Sequence, residues 1–174
     1  MAYLGAEYIV HKVPAMAGPQ NYIARVNLEP FGFPGSFEQM WLTPLGGDAY
    51  EVACIPFRAY GLALGDIVSI SPDGSEIHAI VRPSGRRVLR LFFRESLESK
   101  DLRRVTKKLE KDIEDATLLA EWSGNRHVAI DVPSHAVLES LFSVVAGHVQ
   151  RGHAFWEWAD DESFTPSHGK PETG

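Results

Sequence analysis

Residues 55–85 read IPFRAYGLALGDIVSISPDGSEIHAIVRPSG, and this stretch contains the turns and strands around which the chain is organised. Two β-branched runs, 67–70 and 77–81, flank Pro72-Asp73-Gly74. Proline presets φ for the second position of a turn, and Asp and Gly tolerate the positions after it. The pattern therefore predicts a β-hairpin. Pro83 is expected to end the second strand, because proline cannot donate to a β-ladder.

Upstream of this stretch, β-type runs separated by Gly- and Pro-containing turns predict further short strands. These runs are 8–13, 21–28, 39–44 and 50–57. With the hairpin they make about six short strands over roughly 80 residues, a spacing typical of a small antiparallel barrel or sandwich. We therefore predict an all-β, barrel-like subdomain over residues 1–86.

The periodicity changes after Gly85. Residues 87–93 predict a strand, and Ser99 is expected to cap a helix. Apolar residues then recur at spacings of three and four, which predicts one buried stripe on that helix. The stripe consists of Leu102, Val105, Leu109 and Ile113. Strands over 118–122 and 127–132 follow, then a second helix from Pro133-Ser134 to Gly152 and a strand over 155–159.

This order, β-α-β-β-α-β, is that of a ferredoxin-like unit, which we predict for residues 87–159. The predicted fold class is α+β, a small antiparallel β-barrel followed by this unit. The joining loop 83–86 is short, so the two subdomains are expected to share an interface. Residues 160–174 are polar and are predicted to form a tail with little fixed structure.

The chain has 174 residues, a formal net charge of −6 and one cysteine, Cys54. The negative charge argues against broad binding to nucleic acid or anionic membranes. No apolar run of about 18 residues is present, so no membrane span is predicted, and residues 1–13 lack the pattern of a cleaved signal. A single cysteine fits a reducing compartment. We therefore expect a cytoplasmic protein.

Four short motifs occur along the chain in a particular order and spacing. They are Glu38-Gln39-Met40-Trp41, Ile55-Pro56-Phe57, Gly65-Asp66-Ile67-Val68, and Ser84-Gly85 followed by Val88-Leu89-Arg90. Together they resemble an uncharacterised bacterial family, domain of unknown function 4265, over roughly residues 8–159. The resemblance implies a small, bacterial, cytosolic protein and supplies no reaction to carry over. The loop 31–37 and the acidic tail depart from the family's pattern.

Candidate chemistry is sparse in this sequence. No phosphate-binding loop, nucleophile elbow or zinc-protease helix is present, so catalytic residues stay unassigned and no cofactor is predicted. Four histidines lie in the predicted second unit, residues 87–159: His127, His135, His148 and His153. The spacing of the last two does not place them on one helical face, so no metal site is predicted. Cys54 lies in an apolar strand, which favours a buried, inert thiol.

The loop 31–37 is the most suggestive feature, since it holds three phenylalanines among glycine and proline. Such rings either cap an open barrel end or form a surface for a partner or ligand. The candidate binding residues are Phe31, Phe33, Phe37, Trp41, Phe57 and Tyr60. The last strand carries Trp156 and Trp158 on one face, which would form a docking surface if that strand lies at a sheet edge.

Three functions remain open. The leading hypothesis is a non-enzymatic protein-binding module, whose acidic character would suit a basic partner, as an antitoxin or immunity protein does. The second is an enzyme or small-molecule sensor with a cleft between the subdomains. The third is nucleic-acid contact through the basic first helix, although neighbouring carboxylates weaken its field. The basic residues are Arg103, Arg104, Lys107, Lys108 and Lys111. The sequence leaves the oligomeric state open.

Overall fold

The structure, a computed structural model, describes residues 5–167. These residues form two sheets and two α-helices, so the content is mixed α+β, as predicted. The first sheet contains β1 (Glu7–Ile9), β2 (Tyr22–Asn27), β3 (Ser36–Gly46), β4 (Ala49–Val52), β5 (Ile67–Ile70) and β6 (Ile77–Arg82), with a 3-10 helix over Glu29–Phe31. The second contains β7 (Arg87–Phe93), β8 (Ala120–Ser123), β9 (His127–Val132) and β10 (Ala154–Trp158), with α1 (Ser99–Asp115) and α2 (Glu139–Gln150).

The first sheet is built on β3, which pairs parallel with β1 and antiparallel with β2 and β4. β5 and β6 continue the sheet as the predicted hairpin, and Gly74 takes a φ of 77° in its turn. The predicted barrel does not close within the described residues. Only the turn end of the hairpin reaches β2, where the N–H of Arg25 donates to the carbonyl of Ser75 at 2.9 Å. An isolated bridge there leaves no ladder running along β2 and β6.

The second sheet is antiparallel, with the strand order β10-β7-β9-β8. Both helices pack on one of its faces, and the predicted stripe of α1 is buried there. α1 has Glu98 rather than Ser99 at its N-cap. α2 begins at Glu139, later than predicted, because residues from Pro133 first form turns. It ends at Gln150 with Gly152 in the predicted C′ position, where a φ of 76° permits the reversed hydrogen bonds of a Schellman ending.

The opposite face of the second sheet packs against the unit built on the first sheet. Strand alternation turns Val88, Arg90 and Phe92 of β7 toward that unit, while Leu89, Leu91 and Phe93 join the helices. The apolar part of the interface consists of Ile55, Phe57, Ala63, Leu64, Val88, Ala129 and Ala159. The two units therefore share a buried interface, as the short joining loop predicted.

Residues 160–167 do not behave as the predicted tail with little fixed structure. Phe164 packs against the core of the first sheet. It crosses Gly61, which has a φ of 73°, and a Cβ there would lie 2.1 Å from the backbone nitrogen of Phe164. The rest of the predicted tail, residues 168–174, lies outside the described residues. Across the described part of the chain, neither helix is long and apolar enough to cross a membrane.

Candidate functional site

Three buried charged side chains join the two units: His11 after β1, Glu38 on β3 and Glu121 on β8. We call them the His11 clamp. The ring of His11 donates through Nε2 to Glu38 at 2.9 Å and through Nδ1 to Glu121 at 2.5 Å. Because both nitrogens face carboxylate oxygens, the ring is an imidazolium. Burial alone lowers the pKa of His11, but hydrogen bonds to Cys54, Glu121 and Glu38 outweigh it and raise the pKa to about 12.

Glu38 is fully buried and uses both carboxylate oxygens. It accepts hydrogen bonds from His11 and from the backbone N–H groups of Phe57, Arg58 and Ala59, at 2.6 to 2.9 Å. Burial alone raises the pKa of this carboxyl, but the hydrogen bond and the charge of His11 lower the pKa to about 2. A carboxylate held by three backbone N–H groups is strongly stabilised in its charged form.

These bonds explain why the strand predicted over 50–57 is wrong after Val52. The N–H of Ile55 donates to Glu121 at 2.9 Å, and the next N–H groups donate to Glu38. Backbone donors that serve buried carboxylates cannot also serve a neighbouring strand. The chain therefore forms an irregular segment, which we call the 55–60 turn.

Arg90 of β7 holds the same turn from the other unit. It is fully buried and donates to the carbonyl oxygens of Pro56, at 3.3 Å, and of Ala59. It also donates to Glu157 of β10 at 3.3 Å, and this carboxylate accepts the hydroxyl of Tyr60 at 2.5 Å. Burial, followed by the contact with Glu157, raises the pKa of Tyr60 to about 12. Charges from both units thus fix the 55–60 turn.

An open groove lies beside this turn and between the two units; we call it the inter-sheet groove. It is formed by two adjoining cavities of about 680 Å³ and 200 Å³, which share Arg58, Phe92 and Phe155. Its main lining residues are Phe33, Arg58 and Tyr60 from the first unit and Phe92, Arg94, Arg126, His127 and Phe155 from the second. The larger cavity alone has the size of a small-molecule site.

Three rings stack in series along the floor of the groove. His127 lies on Phe92 with centroids 4.0 Å apart, and Phe92 lies on Phe155 with centroids 4.6 Å apart and planes 10° from parallel. The stack ends at Phe155, which is 41% exposed. An exposed aromatic ring at the end of a stack is a surface on which another planar ring can pack.

Arginines face these rings. The guanidinium of Arg58 lies 5.0 Å from the centroid of Phe92 and 5.5 Å from that of Phe33, and the guanidinium of Arg94 lies 5.5 Å from that of Phe155. Within residues 5–167, neither Arg58 nor Arg94 forms an ion pair with a carboxylate. Two positive charges without an ion-pair partner among the described residues make this groove attractive to an anion.

His127 is the buried end of the stack. It is 6% exposed, and its Nε2 has no hydrogen-bond partner among the described residues. Burial, followed by the charges of Arg58 and Arg90, lowers its pKa to about 3, so the ring is neutral near pH 7. A buried polar atom without a partner is uncommon and costs free energy.

Two of the six candidate binding residues line the groove. Phe33 is 36% exposed and lies under Arg58, and Tyr60 faces the groove with its hydroxyl on Glu157. Phe31 is buried beneath Tyr60, with centroids 5.5 Å apart. It therefore supports the groove without lining it.

The other three candidate residues lie elsewhere. Phe57 is 1% exposed, and its ring stacks on that of His11 at 4.4 Å. Phe37 lies under Arg25, 4.5 Å from its guanidinium. Trp41 is half-buried, and its backbone N–H donates to the sulfur of Cys54 at 3.3 Å. The thiol of Cys54 is buried, as predicted, and burial raises its pKa.

Arg58, Arg94 and Phe155 were not among the residues predicted from the sequence, and His127 entered there only as a candidate metal ligand. The available signal was a charged residue at an inward-facing strand position. Glu38 lies on the same inward face of β3 as buried Met40, and Arg90 lies on the same face of β7 as buried Val88. A charge in such a register must be paired, which would have pointed to a buried network beside the 55–60 turn.

Other surfaces offer less specific chemistry. A cavity of about 730 Å³ lies between α1 and α2, but its lining mixes acidic and basic side chains. On α1, Arg104 and Lys111 form exposed ion pairs with Asp101 and Asp115. Within residues 5–167, no three His, Cys, Asp or Glu side chains converge as metal ligands.

Comparisons with known proteins identify a structural neighbour and a family. The fold is similar to the crystal structure of a hypothetical protein from Neisseria gonorrhoeae, with a TM-score of 0.57, 15% identity, and coverage of 83% of this chain and 97% of that one. No curated protein matches the chain. The sequence matches the family described as "Domain of unknown function (DUF4265)" over residues 38–158, a match that begins at Glu38 of the His11 clamp. The chain therefore belongs to the DUF4265 family, whose function is unknown.

Proposed function

We propose that this protein is a non-enzymatic binding protein that holds a small anionic ligand in the inter-sheet groove. The observation that carries the proposal is the pair Arg58 and Arg94, which face aromatic rings and have no carboxylate partner among residues 5–167. Charge-assisted hydrogen bonds from guanidinium groups to carboxylate or phosphate are among the stronger polar contacts in proteins.

The fixed 55–60 turn supports this proposal. The N–H of Arg58 is bound by Glu38, so the backbone that carries this arginine is held by a buried carboxylate. A preorganised binding group loses less conformational entropy when the ligand arrives. The ring of His127, with a pKa of about 3, is neutral near pH 7, so the positive charge offered to an anion there comes from the arginines.

A ligand panel tests the proposal by thermal unfolding and isothermal titration calorimetry. The probes are inorganic pyrophosphate, citrate, ribose 5-phosphate and AMP. A ligand at about 100 times its Kd stabilises the native state by about 2.7 kcal/mol, which raises Tm by roughly 5 to 10 °C for a chain of this size. Arg58→Gln should abolish the shift, and Arg103→Gln, at an exposed position of α1, should retain it. An unchanged Tm with every probe would refute the proposal.

A protein partner is the second candidate, and the edge position of β10 favours it. β10 pairs only with β7 in the sheet order, and Phe155 and Trp156 are 41% and 42% exposed. A partner strand can add to such an edge, and exposed aromatics can anchor it. The net charge of −6 suits a basic partner, such as an antitoxin or immunity protein neutralises. Trp156→Lys should release a co-purifying partner, whereas Val137→Lys, at an exposed loop position, should not.

We also propose a division of the fold into two subdomains. We take residues 1–86 as an open, barrel-like subdomain and residues 87–159 as a ferredoxin-like one. The strand order β10-β7-β9-β8 and the single joining loop support this division. A bacterial origin and a cytoplasmic location stay predictions.

A further inference from the structure

We infer that the ligand of the inter-sheet groove is a nucleotide, with its base on the exposed ring of Phe155 and its phosphate on Arg58 and Arg94. This inference rests on the proposed function, because it specifies the ligand of the same groove. It combines two features that a simple anion would not use together: the end of the ring stack and the guanidinium groups of Arg58 and Arg94, which have no ion-pair partner within residues 5–167.

The ring stack requires a planar ligand group. His127, Phe92 and Phe155 already stack in series, and 41% of Phe155 remains exposed at the end. A ligand such as citrate would bind the arginines and leave that ring in water. A nucleobase would cover it, since every base has a π-face that packs on aromatic side chains.

The arginines require an anion close to that planar group. The guanidinium of Arg94 lies 5.5 Å from the centroid of Phe155, and that of Arg58 lies 5.0 Å from the centroid of Phe92. Both rings belong to the stack, so the positive charges lie beside the surface that takes the base. Guanidinium binds phosphate oxygens in a bidentate manner, which favours arginine at phosphate sites.

Nearby carboxylates do not cancel this charge. Glu157 is engaged by Arg90 and by the hydroxyl of Tyr60. Glu95 is 92% exposed and lies 3.6 Å from Arg126, which itself donates to the backbone carbonyl of Arg94 at 2.5 Å. Arg58 and Arg94 therefore remain available to a phosphate.

His127 provides an independent observation in the same groove, because its buried Nε2 has no hydrogen-bond partner within residues 5–167. This neutral ring lines the larger cavity. Arg58, which would hold the phosphate, lines the same cavity. A water bound beside that phosphate would satisfy the nitrogen of His127, which lies at the opposite end of the stack from the base.

A mononucleotide and a single nucleic-acid strand share this chemistry. The acidic chain favours the mononucleotide, because strand binding gains most of its affinity from many phosphate contacts to a basic surface. Calorimetry should compare AMP, GMP, CMP and UMP with ribose 5-phosphate, adenosine, citrate and a short single-stranded oligonucleotide. At least one mononucleotide should bind about 5- to 100-fold more tightly than ribose 5-phosphate, as expected for one stacked base.

The outcomes separate the two levels of the proposal. If ribose 5-phosphate or citrate binds as tightly as every mononucleotide, the nucleotide inference is overturned and the anion site stands. If no probe binds, both are overturned. Tighter, salt-sensitive binding of the oligonucleotide would support base and phosphate recognition but assign it to nucleic acid.

Variants of Phe155 test the stacking step directly. Phe155→Leu should remove the preference for AMP over ribose 5-phosphate, and Phe155→Tyr should restore it because the ring is kept. Phe37→Leu is the matched control, since Phe37 also lies under an arginine, Arg25, but outside the groove. An unchanged preference in Phe155→Leu would overturn the inference. Phe155 is exposed, so its replacement should leave folding intact, and circular dichroism checks this.

Discussion

Replacing Glu38 with glutamine tests whether buried charge holds the 55–60 turn. Glutamine has nearly the same shape but presents an NH₂ group where Glu38 has a carboxylate oxygen. At least one backbone donor of the turn, or His11, then faces another donor, and the imidazolium keeps only Glu121. Breaking one partner of a buried pair costs about 3 to 5 kcal/mol, and each unsatisfied buried donor costs about 1 to 3 kcal/mol.

We therefore expect Glu38→Gln to lower the free energy of unfolding by about 4 kcal/mol. For a chain of this size this corresponds to a fall in Tm of roughly 8 to 16 °C. Urea unfolding followed by circular dichroism measures the loss, and the m-value should stay unchanged. Glu76→Gln is the control, because the ion pair of Glu76 with Arg25 is partly exposed and should be worth about 1 kcal/mol or less. Equal losses in the two variants would refute the reasoning.

Three further predictions concern pH, a backbone crossing and His127. The pKa of Glu38 is about 2 in the folded protein and 4.5 when unfolded, so Glu38 stabilises the native state fully above about pH 4.5 and loses this effect as the pH falls towards 2. The pKa of His11 is about 12 in the folded protein and 6.5 when unfolded, so the contribution of His11 is complete below about pH 6.5 and does not change between pH 5 and pH 2. The difference in unfolding free energy between wild type and Glu38→Gln should thus narrow by ~3 kcal/mol from pH 5 to pH 2; a constant difference would contradict this. Gly61→Ala should lower the free energy of unfolding by ~3 kcal/mol, because φ is 73° and the new Cβ meets the backbone of Phe164. Gly47→Ala, with a φ of 59° and open space around the new Cβ, should lower it by only ~1 kcal/mol. Equal losses for the two variants in chemical denaturation would show that Phe164 does not pack tightly over Gly61. His127→Phe keeps the stack but removes the nitrogen that has no partner among residues 5–167, so it should raise the free energy of unfolding by ~1 kcal/mol. It should also weaken AMP and ribose 5-phosphate binding alike, about 2- to 10-fold, because the lost contact lies on the phosphate side; unaltered affinity for both in calorimetry would exclude such a contact.

The parts of the fold that followed from the sequence are those set by local periodicity. The hairpin around Pro72-Asp73-Gly74 and the buried stripe of α1 each depend on residues within one or two turns of chain. The end of α2 at Gly152 depends on backbone freedom at a single position. In such places the neighbouring residues determine most of the local structure.

The groove and the clamp did not follow from the sequence, because their contacts join distant segments. Glu38 meets His11 across 27 positions, and Arg90 meets the carbonyl of Ala59 across 31. Strand alternation predicts which side chains point inward, but it does not predict which two inward-facing charged side chains form a pair. The same limit explains why the prediction of a closed barrel was wrong, since closure of a sheet depends on how its first and last strands meet in space.

The His11 clamp also constrains how the protein can fold while it is being made. His11 and Glu121 are separated by 110 positions, which corresponds to roughly 5 to 20 s of translation. The apolar patch of Ile55, Phe57 and Leu64 is also made before Val88, Ala129 and Ala159, which cover it in the finished protein. The nascent first half therefore exposes this patch until the second half has been made, which leaves it open to association with other chains during synthesis.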